Sequence, residues 1–136
     1  MTIDQILLIL ALIIIFGLIF GSVYFLPILM TKLRSHQYGL KLDFRQSKIL
    51  AKNYCAHKDF LIGTREIWEI YPVQLERLVS YFNAGGNMNN LKIGISEMLL
   101  KEKEPDITML TALSLAKQDL KVAVEKAEKN NWKFTF

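Results

Sequence analysis

From Ile6 to Met30 the chain reads ILLILALIIIFGLIFGSVYFLPILM, 25 residues without one charged side chain. About 20 such residues are enough to cross a bilayer as a helix. A helix also satisfies its own backbone hydrogen bonds, which lipid cannot do. The run therefore predicts a transmembrane helix over 6–30, with residues 1–5 as a short N-terminus on the far side. A cleaved signal peptide fits less well. No Lys or Arg precedes the run, the run is too long, and no small-x-small cleavage pattern follows it. Within the span, Gly17 and Gly21 lie four apart and are followed by Ser22, so one helix face is small enough for another helix to approach. Pro27 is placed to kink the last turn, and Tyr24 and Phe25 fall toward the interface.

Beyond Met30 the pattern breaks up. Leu40, Leu42 and Phe44 alternate as in a strand, whereas Leu42, Gln46, Ile49, Leu50 and Asn53 share a helical face. The helical reading predicts a juxtamembrane amphipathic helix within 31–60, lying on the membrane or packed under it. An ordinary solvent-facing helix is the competing reading. LIGT at 61–64 reads as a break, with Thr64 capping a short segment REIWEIY. Pro72 suits the first position of the next helix, in which Leu75, Leu78, Val79 and Phe82 form an apolar stripe.

Ala84, Gly85, Gly86 and Asn87 follow. A glycine just past a helix takes the left-handed conformation cheaply. The stretch thus reads as a structural turn, with Asn87 or Asn89 capping a new helix. In that helix Met88, Leu91, Ile95, Met98 and Leu99 share a face, and Pro105 ends it. Asp106 then caps a last helix over 107–130. Its packing face is Met109, Leu113, Ala116, Leu120, Ala123 and Ala127, spaced as in a heptad. The pattern as a whole predicts an all-α protein: one transmembrane helix, a juxtamembrane amphipathic helix, a bundle of about three helices over 61–130, and an aromatic tail at 131–136. A core of about 70 residues is marginal alone, so self-association or a partner would support it.

Charge adds orientation. Residues 31–58 carry Lys32, Arg34, Lys41, Arg45, Lys48, Lys52 and Lys58 against Asp43, a net of +6, while the whole chain is +4. All the net basicity therefore flanks the C-terminal end of the apolar run. By the positive-inside rule the helical domain is cytoplasmic. Lys32, Arg34, Lys41, Arg45 and Lys48 are the candidate contacts to anionic lipid head groups, at about 1 kcal/mol each near the surface. A nucleic-acid partner is a poorer reading, because no base-stacking motif accompanies the cluster.

Candidate chemistry is sparse. Cys55 is the only cysteine, so no internal disulfide forms. Cys55 and His57 in CAH supply two possible ligands, where zinc takes three or four from protein. NAGGN lacks the GxxxxGK[ST] of a phosphate-binding P-loop. A helix N-terminus can attract an anion, but a helix–helix turn accounts for the stretch better. His36 and His57 sit in no nucleophile or metal pattern, and no Ser or Thr has the surroundings of a nucleophile elbow. The expectation is a protein without enzymatic activity, without cofactor or metal, and without an evident small-molecule substrate.

One resemblance adds to this. FLPILM at 25–30, GLKL at 39–42, QLERLVSYFNAGGNMNNL at 74–91 and LAKQDLKVAV at 115–124 occur in the order and spacing of the N-terminal region of bacterial flotillin-like FloA proteins. The matching positions are Leu75, Glu76, Phe82, Ala84, Gly85, Gly86 and Asn87, then Leu115, Ala116, Asp119, Ala123 and Val124. The family continues into an SPFH (band-7) domain and a long Ala/Glu-rich helical region, neither of which lies within these residues. Its second apolar membrane segment corresponds here to KLDFRQSKILAKN, which is too charged for lipid. The resemblance implies a single-pass protein of the bacterial cell membrane. It also implies a homo-oligomeric scaffold that organises membrane-protein assemblies. The alternative is an accessory subunit of a larger membrane complex serving secretion, transport or energy transduction, with other membrane-protein subunits as partners.

Overall fold

The computed structural model describes residues 1–134 and is all-helical, with no strand among them. Its seven helices are α1 (Ile3–Gln37), α2 (Phe44–Lys52), α3 (Lys58–Ile70), α4 (Leu75–Asn83), α5 (Met88–Leu100), α6 (Ile107–Leu115) and α7 (Leu120–Lys129). The bundle after the basic segment thus holds five short helices where the spacing predicts about three.

The 35 residues of α1 form a single helix. Thr2 and Gln5 close a capping box at its start. Pro27 does not end it. The Thr31 hydroxyl donates to the Pro27 carbonyl at 2.8 Å, and the Ser35 hydroxyl donates to the Thr31 carbonyl at 2.8 Å. Among the described residues α1 is the one helix long and apolar enough to cross a membrane. None of its most apolar stretch is buried, so it does not serve as the core helix of this domain.

Six of the seven helices stop in the same way. At the end of α1, Gly39 is left-handed (φ +78°), its N–H donates to the His36 carbonyl, and Leu40 N–H donates to Ser35. That is a Schellman motif, which supplies donors to carbonyls the helix leaves open. Gly85 (φ +90°) does the same after α4. At the other four helix ends the left-handed position is held by Tyr54, Glu102, Lys117 and Asn131, none of them glycine, and after α7 Trp132 is left-handed as well. The exception is α3, which runs into extended backbone at Tyr71.

The core is organised on α5, which packs against α3, α6 and α7. Met88, Leu91, Gly94, Ile95 and Met98 are its buried positions, whereas Leu99 is exposed. A Cβ on Gly94 would stand 2.7 Å from Leu120 Cδ1, so α5 and α7 meet where only glycine leaves room. Gly63 works alike: a Cβ there would stand 2.6 Å from Met88 Cβ. This is why the expected break at 61–64 is absent. Gly63 lies mid-helix in α3 to admit Met88, and Thr64 is fully buried instead of capping.

Two further expectations change. Pro72 lies in the connection before α4, whose N-cap is Gln74. The single helix expected over 107–130 is two, because Ala116 is the C-cap of α6 and Lys117 turns left-handed. The heptad face is therefore split. Leu113 packs from α6, Leu120 and Ala127 from α7, Ala123 is half-buried, and Ala116 is exposed at the turn. At the tail, Trp132 and Phe134 pack on the core and Lys103 lies over the Trp132 ring; Thr135 and Phe136 lie outside the described residues.

Candidate membrane-interface site

The basic segment after α1 folds back on α1 and joins the core of the helical domain. Leu40 and Leu42 alternate inward from an extended stretch, and they share the core with Leu50, Cys55 and Phe60. Asp43 and Gln46 close a capping box that starts α2. α2 is amphipathic, with Ser47 and Leu50 fully buried. It packs against α1, whose own buried residues Ile28, Thr31 and Ser35 line one face. The Ser47–Leu50 side of α2 thus meets protein: the helix packs against the C-terminal part of α1.

The direction of α2 follows from its contacts. At its start, the Phe44 ring lies 5.9 Å from that of Phe25, and Lys48 Nζ lies 5.4 Å from the Tyr24 ring. Tyr24 and Phe25 meet edge to face at 4.9 Å. Past the end of α2, Ala56 lines an open groove with Met30, Leu33, Arg34 and Tyr38. α2 therefore runs alongside α1 in the same sense, beginning at the level of Phe25. Arg65 braces this corner from α3, donating to the Tyr38 carbonyl at 2.8 Å.

The expected site residues fall into separate places. Lys32, Arg34, Lys41, Arg45 and Lys48 are all exposed. Arg45 approaches Glu76 at 3.9 Å, but both side chains are largely in solvent. Such a pair contributes little, on the order of 0–1 kcal/mol. On α1 a Cβ at Gly17 or Gly21 would meet nothing within 4 Å, so the face is open at those two positions; Ser22 is exposed as well. At 100° per residue, Gly17 and Gly21 lie on the same face as Ile28, Thr31 and Ser35, directly in line with α2. On the opposite face Leu26, Leu29, Met30 and Leu33 are exposed.

The 81–90 stretch is a clamp. Gly86 packs against the Tyr81 ring, and Asn87 caps α5 by accepting from Asn90 N–H at 3.1 Å. The Tyr81 hydroxyl donates to the Asn87 carbonyl at 2.6 Å, so in its 2.6 Å bond with Ser114 the serine is the donor. Asn90 Nδ2 donates to Ser114 Oγ and to the Gln118 carbonyl, and Asn90 Oδ1 accepts from Leu120 N–H, an otherwise open donor at the start of α7. Tyr81 and Asn90 were not legible as a pair. Tyr81 follows Leu78 by three, which marks it as inward-facing, but nothing local distinguishes Asn90 from the three other asparagines in the stretch.

Cys55 is fully buried, and its thiol donates to Asn83 Oδ1 at 3.1 Å. Burial raises its pKa and the Asn83 hydrogen bond only partly opposes this, so the thiol stays protonated. His57 is exposed, its ring tilted against that of Phe82 at 6.1 Å. Among the described residues no group of three or more His, Cys, Asp or Glu side chains is placed to hold a metal ion. No protein-family model, no curated protein and no solved structure matches the chain.

Proposed function

We propose that this protein is a non-enzymatic, single-pass membrane scaffold or adaptor. α1 anchors the compact helical domain at the membrane and associates with other spans, copies of itself first. The observation that carries the reading is α1 itself: an uncovered apolar helix that continues without a break into the face on which α2 packs. A span so joined transmits its position to the domain, which is what a scaffold or adaptor needs. The open Gly17–Gly21 face gives the span a surface for close helix contact. The basic flank supports a cytoplasmic domain. The flotillin-like character and the bacterial cell membrane rest on the motif resemblance.

A second surface favours a second reading. Leu26, Leu29, Met30 and Leu33 are exposed on the face of α1 opposite α2, so the helix has a side free for an unrelated subunit. The chain would then be an accessory subunit of a larger complex. Native mass spectrometry of the protein gently extracted from its own membrane separates the two. A ladder of identical chains is expected of the scaffold; a fixed stoichiometry with unrelated subunits would make it an accessory subunit. A lone monomer would sink both.

A further inference from the structure

The charge-free run, Ile6–Met30, is longer than a bilayer needs. α2 decides where along it the hydrocarbon ends. Lipid cannot extend on the α2 side past the level of Tyr24 and Phe25, because Phe44 and the Lys48 ammonium stand there, with Arg45 next to Phe44 in the first turn of α2. Ile6 to Tyr24 is a rise of about 28 Å. A hydrocarbon core is about 30 Å thick. The level set by α2 therefore leaves a span of the right length, with Leu33 about 13 Å beyond it.

At that level the side chains have interfacial character. Phe44 is 49% exposed although apolar, and it sits beside Phe25, itself 53% exposed. Tyr24 is 49% exposed and carries the Lys48 ammonium over its ring. A tyrosine ring favours the headgroup level, the phenylalanine rings beside it suit the headgroup–acyl boundary, and long basic side chains cover apolar surface while keeping the charge in water. The Arg45 side chain is 84% exposed, and Lys41 is exposed on the strand-like stretch just before α2. Of the acids beside these basic residues, Asp43 is engaged in capping α2, and Glu76 approaches Arg45 at 3.9 Å with both side chains largely in solvent.

We propose that Tyr24, Phe25 and Phe44, with Lys41, Arg45 and Lys48, form a collar seated in anionic phospholipid headgroups, so that the bilayer ends at Tyr24 and not at the end of the charge-free run. This rests on the reading of α1 as a span. The collar sets the depth of the helical domain. It also keeps Met30 and Leu33 in water, where they are available to protein.

The test is nitroxide labelling of the full chain at Ile13→Cys, Met30→Cys, Leu33→Cys and Phe44→Cys, with the unsubstituted chain, whose Cys55 is buried, as the labelling control. Each variant is reconstituted in phosphatidylcholine alone or mixed with phosphatidylglycerol. Collision with oxygen and with a water-soluble nickel chelate then reports depth. The label at position 13 is expected deep in hydrocarbon and that at 44 at headgroup depth, with those at 30 and 33 open to nickel. Adding phosphatidylglycerol is expected to draw position 44 deeper, and Arg45→Gln with Lys48→Gln is expected to abolish that shift. Hydrocarbon depth at 30 and 33, or bulk water at 44, would overturn the collar while position 13 still upholds the span. Equal depth at 44 in both lipid mixtures would overturn the assignment of anionic headgroups. Nickel access at position 13 would sink the span and the collar together.

Discussion

Asn90 ties three elements together, since its amide bonds Ser114 on α6, Gln118 in the α6–α7 turn and Leu120 at the start of α7. Its truncation leaves a half-buried donor and acceptor without partners. We expect Asn90→Ala to lose about 1–3 kcal/mol of stability, read as a lowered midpoint in thermal unfolding of the detergent-solubilised chain by circular dichroism. An unchanged midpoint would mean that water replaces the amide at no cost. Cys55 yields a pH prediction. Its folded pKa lies above the unfolded value, taken as 9.0, because burial disfavours the thiolate. A raised folded pKa contributes stability that is complete below the unfolded value and lost as pH rises toward the folded one. Stability should therefore start to fall above about pH 9. Cys55→Ala should flatten that fall, whatever it does to stability at neutral pH. Equal slopes for the two proteins between about pH 8.5 and 9.5 would contradict the burial of this thiol.

The helix ends differ in how openly the chain announces them. NAGG at 83–86 and YG at 38–39 carry glycine at the left-handed position, where it is free of the Cβ clash that penalises other residues. At Gly85 a Cβ would touch nothing within 4 Å, yet its φ of +90° remains. Gly85→Val should accordingly cost about 1–2 kcal/mol through backbone strain alone. Full retention of thermal stability would show that this turn relaxes. The α6–α7 stop is the reverse case. Lys117 is left-handed at φ +65°, so Lys117→Gly should raise stability by about 0.5–1 kcal/mol. A lowered melting midpoint would mean that the lysine side chain contributes more than its strain costs. Without a glycine at that turn, the heptad spacing from Met109 to Ala127 reads as one continuous helix. Likewise Gly63 reads as a breaker when it is a packing position, since the residue that needs its space, Met88, lies 25 positions away.

For the molecule as a whole, the face of α1 bearing Gly17 and Gly21 is the same face that α2 covers further along. A partner span seated on those glycines would sit in line with α2. Gly17→Leu with Gly21→Leu should weaken self-association severalfold in energy transfer between labelled chains in vesicles, and leave the fold of the helical domain unaltered. Unchanged transfer would remove this face from the assembly. The apolar run, the basic flank and the helical periodicities were legible because each rests on neighbours within a few turns: lipid-length apolarity, local charge, and spacings of three and four. They determined the all-α class, a helix long and apolar enough to cross a membrane, and the Gly85–Asn87 stop and restart. Tertiary structure alone decided that residues 38–55 turn back into the core, that α2 begins at the level of Phe25, that α3 runs through Gly63, and that Asn90 joins the end of the domain. Each of these depends on what lies across a gap from a distant part of the chain, and no local pattern records which side chain will fill it.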